Sequence, residues 1–499
     1  MKYDYIIVGA GIGGLSAGLN LAFNNKKVLV LEKNSLPGGL VTTFKRGRFE
    51  FDASLYDLMD YGNDKHIGSL QRLFKKYDLE IETLPIPYNV RIKSIDDKFD
   101  EVIKGEIDDW VLRLEELHSG SMSTFRSLLP ILKEVHEALV ALKKGRKNWE
   151  KDFPNFIKYL DKNAYEALVD LNLPNDTIHI LGYIWIEIGS PLNKLNFIDF
   201  AEYMYKYIFK RPVALQNKNI DLTLKLANKF EELGGTIYYR SYVDEIKAQE
   251  EGKEVILKDG TIYTAKEVIC DLSERYVLKE LIKDNLPLAN QKENARTISM
   301  NGLVIYLGLN KSYQDLKLYN YRYYEFQNLN STINIKHMKK FYHHTLEAVV
   351  PNIVNEQASP KNTTILVLKT LYHGDVWNSV TKENYYQIKE ELANELIEEF
   401  ESTFHVDIKE YIEEMEIATP FTIERYTNNI NGCMFGPMRL GYDNSIHRLL
   451  SYEEEKIPHL SFVGASSIFG NGVDNAFYSG YYITEKLLEE ERRSKDGNN

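Results

Sequence analysis

Two spacings of apolar residues organise this chain. Over residues 3–8 (YDYIIV) and 27–31 (KVLVL) apolar residues run almost unbroken, as in parallel strands buried on both faces. Between those runs, Leu15, Leu19 and Ala22 fall on one side of a helix over 15–23. A helical period returns at 220–233 and stops at Gly234-Gly235, a good C-terminal end. Strand patterns follow at 236–239, 243–248 and 254–257. Asp259-Gly260 reads as a hairpin turn between 255–257 and 262–263, and 268–270 as another short buried strand. Residues 300–371 alternate as sheet at 303–307, 346–350 and 364–371, and 383–404 reads as a long charged helix. From 65 to 211 the pattern is mainly helical, with strand-like interruptions at 81–104.

The junctions carry more information than the elements. The first strand runs into Gly9-Ala10-Gly11-Ile12-Gly13-Gly14, which fits G-x-G-x-x-G at Gly9, Gly11 and Gly14 and opens the first helix. Such glycines let the backbone turn tightly and approach a pyrophosphate, whose charge then sits at a helix N-terminus. The second strand ends in Glu32, eighteen residues after Gly14, where a carboxylate can accept both hydroxyls of an adenosine ribose. An acid at that point disfavours a 2′-phosphate, so FAD or NAD suits the unit better than NADP. A secretory signal is a poor alternative, because Asp4 interrupts the apolar run and the glycines fall where a phosphate needs them.

Near the other end, residues 459–466 (HLSFVGAS) form a strand and small-residue turn. Gly470-Asn471-Gly472-Val473 and a helix over about 474–488 come next. A second strand, glycine turn and helix N-terminus so far downstream suits a long coenzyme with two demands. One turn holds a pyrophosphate; the other offers backbone N–H groups and a helix dipole to a flavin ring.

On these segments the chain resembles the carotenoid desaturase/isomerase and retinol saturase group of the amine-oxidase-like FAD superfamily. The resemblance spans nearly the whole length. It rests on the opening glycines with Glu32, on Gly38-Gly39 followed by Phe51-Asp52, and on Gly234-Gly235 with Val243. It rests also on residues 302–309 (GLVIYLGL), 431–436 (NGCMFG) and 462–465 (FVGA), and on Gly470, Gly472, Ser479 and Gly480. The implied fold is α/β, a discontinuous Rossmann-like FAD-binding domain (1–64, 212–290 and 421–499) with an inserted substrate domain of mixed sheet plus helices. The insert divides into a helical cap, 65–211, and a sheet with helices, 291–420. The implied cofactor is non-covalent FAD. The residues implied to hold it are Gly9, Gly11, Gly13, Gly14, Glu32, Lys33, Gly38, Gly39, Val243, Gly464, Ala465, Gly472 and Val473, with Val243 toward the adenine and Gly472-Val473 beside the ring. The implied activity is desaturation, saturation or isomerisation of carbon–carbon bonds in a long apolar polyene or isoprenoid. Departures from the group's pattern are Leu40 in place of an arginine, residues 215–218 (LQNK) in place of glycines, and Ala53-Ser54 in place of a glycine. They bear on substrate and direction of reaction. An amine or porphyrinogen oxidase on the same scaffold, and a prenyl-binding escort protein, are the alternatives; an escort has no need of an intact Gly11, Gly14 and Glu32.

Composition narrows the rest. The 499 residues are too many for one ordinary core, and 43% hydrophobic with 27% charged content is that of a globular protein. A net charge of −12 without a basic block argues against a nucleic-acid partner. Two cysteines, Cys270 and Cys433, make neither a metal cluster nor a disulfide framework. That cysteine usage makes a cytoplasmic location the expectation; no apolar run nears the ~20 residues that cross a bilayer, with peripheral membrane contact left open. Oligomeric state is unreadable from the sequence. The aromatic stretch 181–209 reads either as a buried helical pair around Gly189-Ser190-Pro191 or as the lining of a substrate tunnel. Tyr183, Glu187 and Tyr482 are acid–base candidates by location alone. His343-His344 near Glu347 makes a poor metal site, and no metal is expected. Cys433 raises the alternative of a covalent flavin link, against its reading as a small buried residue.

Overall fold

The computed structural model describes residues 2–63, 65–87, 89–146, 149–249, 251–282, 296–452 and 456–496. Lys2–Val8 is the hub of a seven-stranded sheet. It pairs in parallel with Val28–Leu31 and Ile262–Cys270, which pair in parallel with Thr236–Tyr238 and Leu460–Phe462 in turn. Gly252–Leu257 and Val243–Gln249 extend the far edge as antiparallel strands. The unbroken apolar runs have a structural reason. Tyr5, Ile7, Val28 and Val30 enter the core shared with the helices Ile12–Phe23, Asn219–Glu232 and Val473–Asp496, while Ile6, Val8, Leu29 and Leu31 enter the core under the meander.

Chain ends far apart in sequence meet on this sheet. Helix Ile12–Phe23 packs along helix Val473–Asp496, and a Cβ on Gly480 would lie 2.7 Å from Ala17 N and against Gly13 O. Ser16 Oγ donates to the Phe477 carbonyl at 2.6 Å, and Asn20 Nδ2 donates to Thr484 Oγ1 at 2.9 Å.

The second sheet also has seven strands, in the order Ile412–Ala418, Asn301–Leu309, Thr364–Tyr372, Thr345–Val349, Arg322–Phe326, Asn89–Ser94, Phe99–Lys104. It is antiparallel except where Arg322–Phe326 meets Asn89–Ser94. Leu303, Ile305, Leu307 and Leu309 pack under helix Tyr385–Phe404, whereas Val304 and Tyr306 meet Phe49 and Phe51. Helices between Ile107 and Lys210 form a third body over the sheet.

Several elements differ from the sequence reading. The strand read at 268–270 is the second half of Ile262–Cys270, because no turn residue interrupts it; one half is antiparallel to Gly252–Leu257 and the other parallel to Lys2–Val8. Asn89–Ser94 and Phe99–Lys104 are strands, as the interruptions at 81–104 suggest, but they join the second sheet rather than the helical cap, and helix Ser69–Lys76 packs in the core of the first. Arg322–Phe326 and Ile412–Ala418 went unread, the latter because its acids sit on an edge strand. The last helix starts at Val473 and runs to Asp496, into the stretch 494–499 that the sequence suggests is a loose tail; 497–499 lie outside the described residues. So does the boundary drawn at 290/291.

Candidate active site

Both glycine turns open into one cavity of about 450 Å³. Its wall includes Gly9, Gly11, Gly13, Glu32, Lys33, Gly38, Gly39, Val243, Gly464, Ala465, Gly472 and Val473. Leu40, Ala53 and Ser54, at the departures from the family pattern, line it too. Gly14 is not on the wall. It stands behind, where a Cβ would strike Gly9 O, and its N–H donates to Asp271 Oδ2 at 2.9 Å.

The first turn is shaped by conformation and close approach together. Gly9 has φ +99°, a region that favours glycine. A Cβ on Gly13 would lie 2.5 Å from Gly464 N, so the two turns touch backbone to backbone. The N-cap of helix Ile12–Phe23 is Gly11, which has no side chain of its own to cap the first turn; Gly11 and Gly13 line the cavity, and the Gly14 N–H is taken by Asp271. Glu32 is buried at the end of its strand; Oε2 accepts from Ala10 N at 2.8 Å and Oε1 from Asn34 N at 2.7 Å. These bonds fix the carboxylate and leave lone pairs toward the cavity. Lys33 Nζ is tied to Asn428 Oδ1 at 2.6 Å, and burial lowers its pKa.

At the second turn, Gly464 and Gly472 have φ +76° and +104°, and Gly464 N donates to Ser479 Oγ at 2.8 Å. Asp474, in the first helical turn, would cancel the positive helix end, but buried Lys206 Nζ meets its carboxylate at 2.6 Å. Burial would lower the Lys206 pKa; Asp474 and Glu202 outweigh it and hold the ammonium charged. Lys143, on the same wall, lies 4.7 Å from the Phe469 ring centroid, and burial lowers its pKa.

The far wall is ionic. Tyr324, Glu347 and Lys369 stand opposite one another on three adjacent strands. Arg322 Nε lies 3.0 Å from Asp57 Oδ2; the guanidinium also reaches Glu187 at 3.4 Å and pairs with Glu347, which pairs in turn with Lys369. Tyr324 OH donates to Glu187 Oε1 at 2.7 Å. Burial would raise both acids. Lys369 and Arg322 overcome it at Glu187 and hold it ionised, whereas burial and the Glu187 charge raise Glu347.

Glu187 is therefore the sequence-read acid that reaches the cavity. Tyr183 is buried with its hydroxyl on Tyr207 at 3.2 Å, and Tyr482 packs on Phe469; neither is on the wall. Of the aromatics in 181–209 only Tyr203 lines the cavity, and Tyr183, Trp185, Phe197, Phe200 and Tyr207 are core, so the buried-pair reading describes that stretch. His343-His344 precede their strand, and Glu347 is not beside them. His344 sits instead between Glu325 at 3.5 Å and Glu399 at 2.9 Å, which raise its pKa to about 10 and make it an imidazolium. Cys433 faces away from the cavity that Met434 and Phe435 line; burial pushes its thiol up to about 11, and Sγ donates to Gly436 O at 3.2 Å. Asp271, Lys206, Arg322 and Lys369 were missed in the sequence, where each is an ordinary charged residue without a motif. Among the described residues no helix is long and apolar enough to cross a membrane.

A family model described as an NAD(P)-binding Rossmann-like domain matches residues 7–75. The chain is 22% identical over 517 residues to a chloroplastic prolycopene isomerase from Daucus carota, covering 97% of this chain and 80% of that protein. It is 22% identical over 481 residues to an all-trans-retinol 13,14-reductase from Danio rerio, covering 87% of this chain and 77% of that one. A solved putrescine oxidase double mutant matches with TM-score 0.65 at 14% identity, over 98% of this chain and 99% of that chain, a likeness of fold. The homologues are thus carotenoid-type enzymes and a retinol reductase, and the fold is the mixed α/β one of this oxidase.

Proposed function

We propose that this chain is a FAD-dependent oxidoreductase acting on carbon–carbon bonds of a polyene- or isoprenoid-like substrate, by desaturation, saturation or isomerisation. The observation that carries the proposal is the single cavity joining Glu32, the two abutting glycine turns and the chamber under the second sheet. Its chemistry fits the coenzyme: a helix N-terminus opened by glycines for a pyrophosphate, a fixed carboxylate for a ribose, and a glycine turn too tight for any Cβ. Gly11 to Gly13, Gly38 and Gly39 would hold the pyrophosphate, Glu32 the ribose and Val243 the adenine, with Gly464, Ala465, Gly472 and Val473 along the ring. When bound, the flavin supplies hydride exchange at N5 without a protein nucleophile or metal.

The chain's own residues do the rest. Lys206 keeps the helix end positive despite Asp474, which favours negative charge at that end of a ring. The walls position the substrate and exclude water. The ionic row of Asp57, Glu187, Arg322, Glu347 and Lys369 suits a substrate with a polar terminus, so the polyene body would point its polar end there. The same row supports a second reading, amine oxidation, because ionised Glu187 among tyrosines would receive an ammonium. A cytoplasmic location, with contact at a membrane surface where an apolar substrate would be loaded, belongs to the first proposal.

The test is an anaerobic absorbance screen of oxidised and reduced holoenzyme against polyenes, sterols, unsaturated fatty acids and amines. Spectral change with a polyene or related unsaturated lipid is expected. Change with amines alone would favour the second reading, and folded protein that stays colourless in excess FAD would overturn both.

A further inference from the structure

Asp271 puts a carboxylate where the proposed coenzyme would put its pyrophosphate. The residue follows the last position of strand Ile262–Cys270 and enters the cradle formed by both glycine turns. Oδ2 accepts from Gly14 N at 2.9 Å. A Cβ on Gly13 would lie 2.8 Å from Oδ1, and one on Gly11 or Gly464 would meet the same carboxylate. Three of the four glycines around it line the cavity, as does Asp271. The titratable groups facing it are Glu32, from the end of the second strand, and Cys270, on its own strand. The opening turn brings the amides of Gly11 and Gly14, the Gly464 turn closes the other side with its own N–H given to Ser479 Oγ, and among the described residues no lysine or arginine is a close charge on the carboxylate.

A pyrophosphate diester is an anion throughout the neutral range and needs those same amides. Two anions in a buried cradle cannot both stay charged at low cost. Resting on the FAD reading, we infer that Asp271 is a proton-linked gate on coenzyme binding: FAD enters the cradle together with one proton from solvent, taken up on the Asp271 carboxyl. The O–H so formed donates to a pyrophosphate oxygen, and the repulsion becomes a hydrogen bond. Burial, with Glu32 adding to it, already pushes this carboxyl up to about 6 without coenzyme. A bound anion raises it further. Below the lower value the proton is present beforehand and affinity is flat; above it binding consumes a proton, and the dissociation constant climbs toward tenfold per pH unit.

The experiment is titration of apoprotein with FAD by flavin fluorescence quenching from about pH 5 to pH 8.5, a range in which the linkage predicts the break. Folding at each pH is checked by circular dichroism, and proton uptake by calorimetry in buffers of different ionisation enthalpy. Wild type should show the flat and rising limbs and take up close to one proton above the break. Asp271→Asn should bind about tenfold or more tightly at pH 8 with no limb and no uptake, as loss of a one-proton linkage requires; Asp271→Ser serves if the amide variant misfolds. Glu32→Gln should bind more weakly yet keep the slope. Tight, pH-independent binding by wild type would overturn the gate alone, as would a slope lost in Glu32→Gln and kept in Asp271→Asn. Folded wild type and variants that bind no FAD at any pH would overturn the coenzyme reading and the gate with it.

Discussion

In the sheet built on Lys2–Val8, polar chemistry collects just past the C-terminal ends of parallel strands. Gly9 follows the first, Glu32 the second, Asp271 the strand Ile262–Cys270 and Val463-Gly464 the strand Leu460–Phe462. In the second sheet the chemistry sits in mid-strand, with Glu347 and Lys369 side by side on the cavity wall and buried Tyr324 next to them. Parallel strands covered on both faces have room for a ligand only at their ends, whereas one face of an antiparallel sheet can floor a chamber. The glycine-turn end therefore depends on backbone and close approach, and the chamber end on buried charge. Substitutions should separate the two.

The largest effect is expected from Arg322→Leu. It strands Asp57, Glu187 and Glu347 without their guanidinium, and breaking such a buried network costs about 3–5 kcal/mol. Chemical denaturation should show the loss, with FAD affinity per folded molecule nearly unchanged. Equal loss of FAD affinity would mean that the two regions are not separable. Next is Gly480→Val, at the crossing of the first and last helices, where overpacking against Ala17 N and Gly13 O costs about 1–3 kcal/mol. Here the prediction reverses: FAD retention on gel filtration should fall more than stability, since the crossing holds the glycine turns together. The smallest effect belongs to Cys433→Ala, in the segment between the regions, where one weak hydrogen bond and a small side chain are lost for about 1 kcal/mol. Acid precipitation should release the flavin equally from wild type and variant. Flavin that stays with the wild-type pellet alone would make Cys433 an attachment point.

The glycine-turn end was readable in advance because its elements are local. A strand, three spaced glycines, a helix and a terminal acid are adjacent in sequence, and each implies the next. Gly14 illustrates the limit. Its place in the motif was plain, but its partner is Asp271, 257 positions away, and the spacing of glycines says nothing of such a neighbour. The chamber end was hardly readable. Arg322, Glu347 and Lys369 share no motif, and they become a site only because register sets them across adjacent strands. The aromatic stretch 181–209 failed as a guide for a related reason: core and cavity use the same side chains, and only packing sorted Tyr203 from Phe200.

What the residues determined unaided was the alternation of strand and helix around two glycine turns, since tight turns, buried strands and helix starts are encoded within a few positions. What only the folded chain decided was which distant pieces share a wall: Gly13 against Gly464, Asp271 inside both turns, Arg322 among three acids. Local sterics act over one or two turns of chain, whereas burial and charge act through space, and those contacts exist only after the sheets have closed on each other.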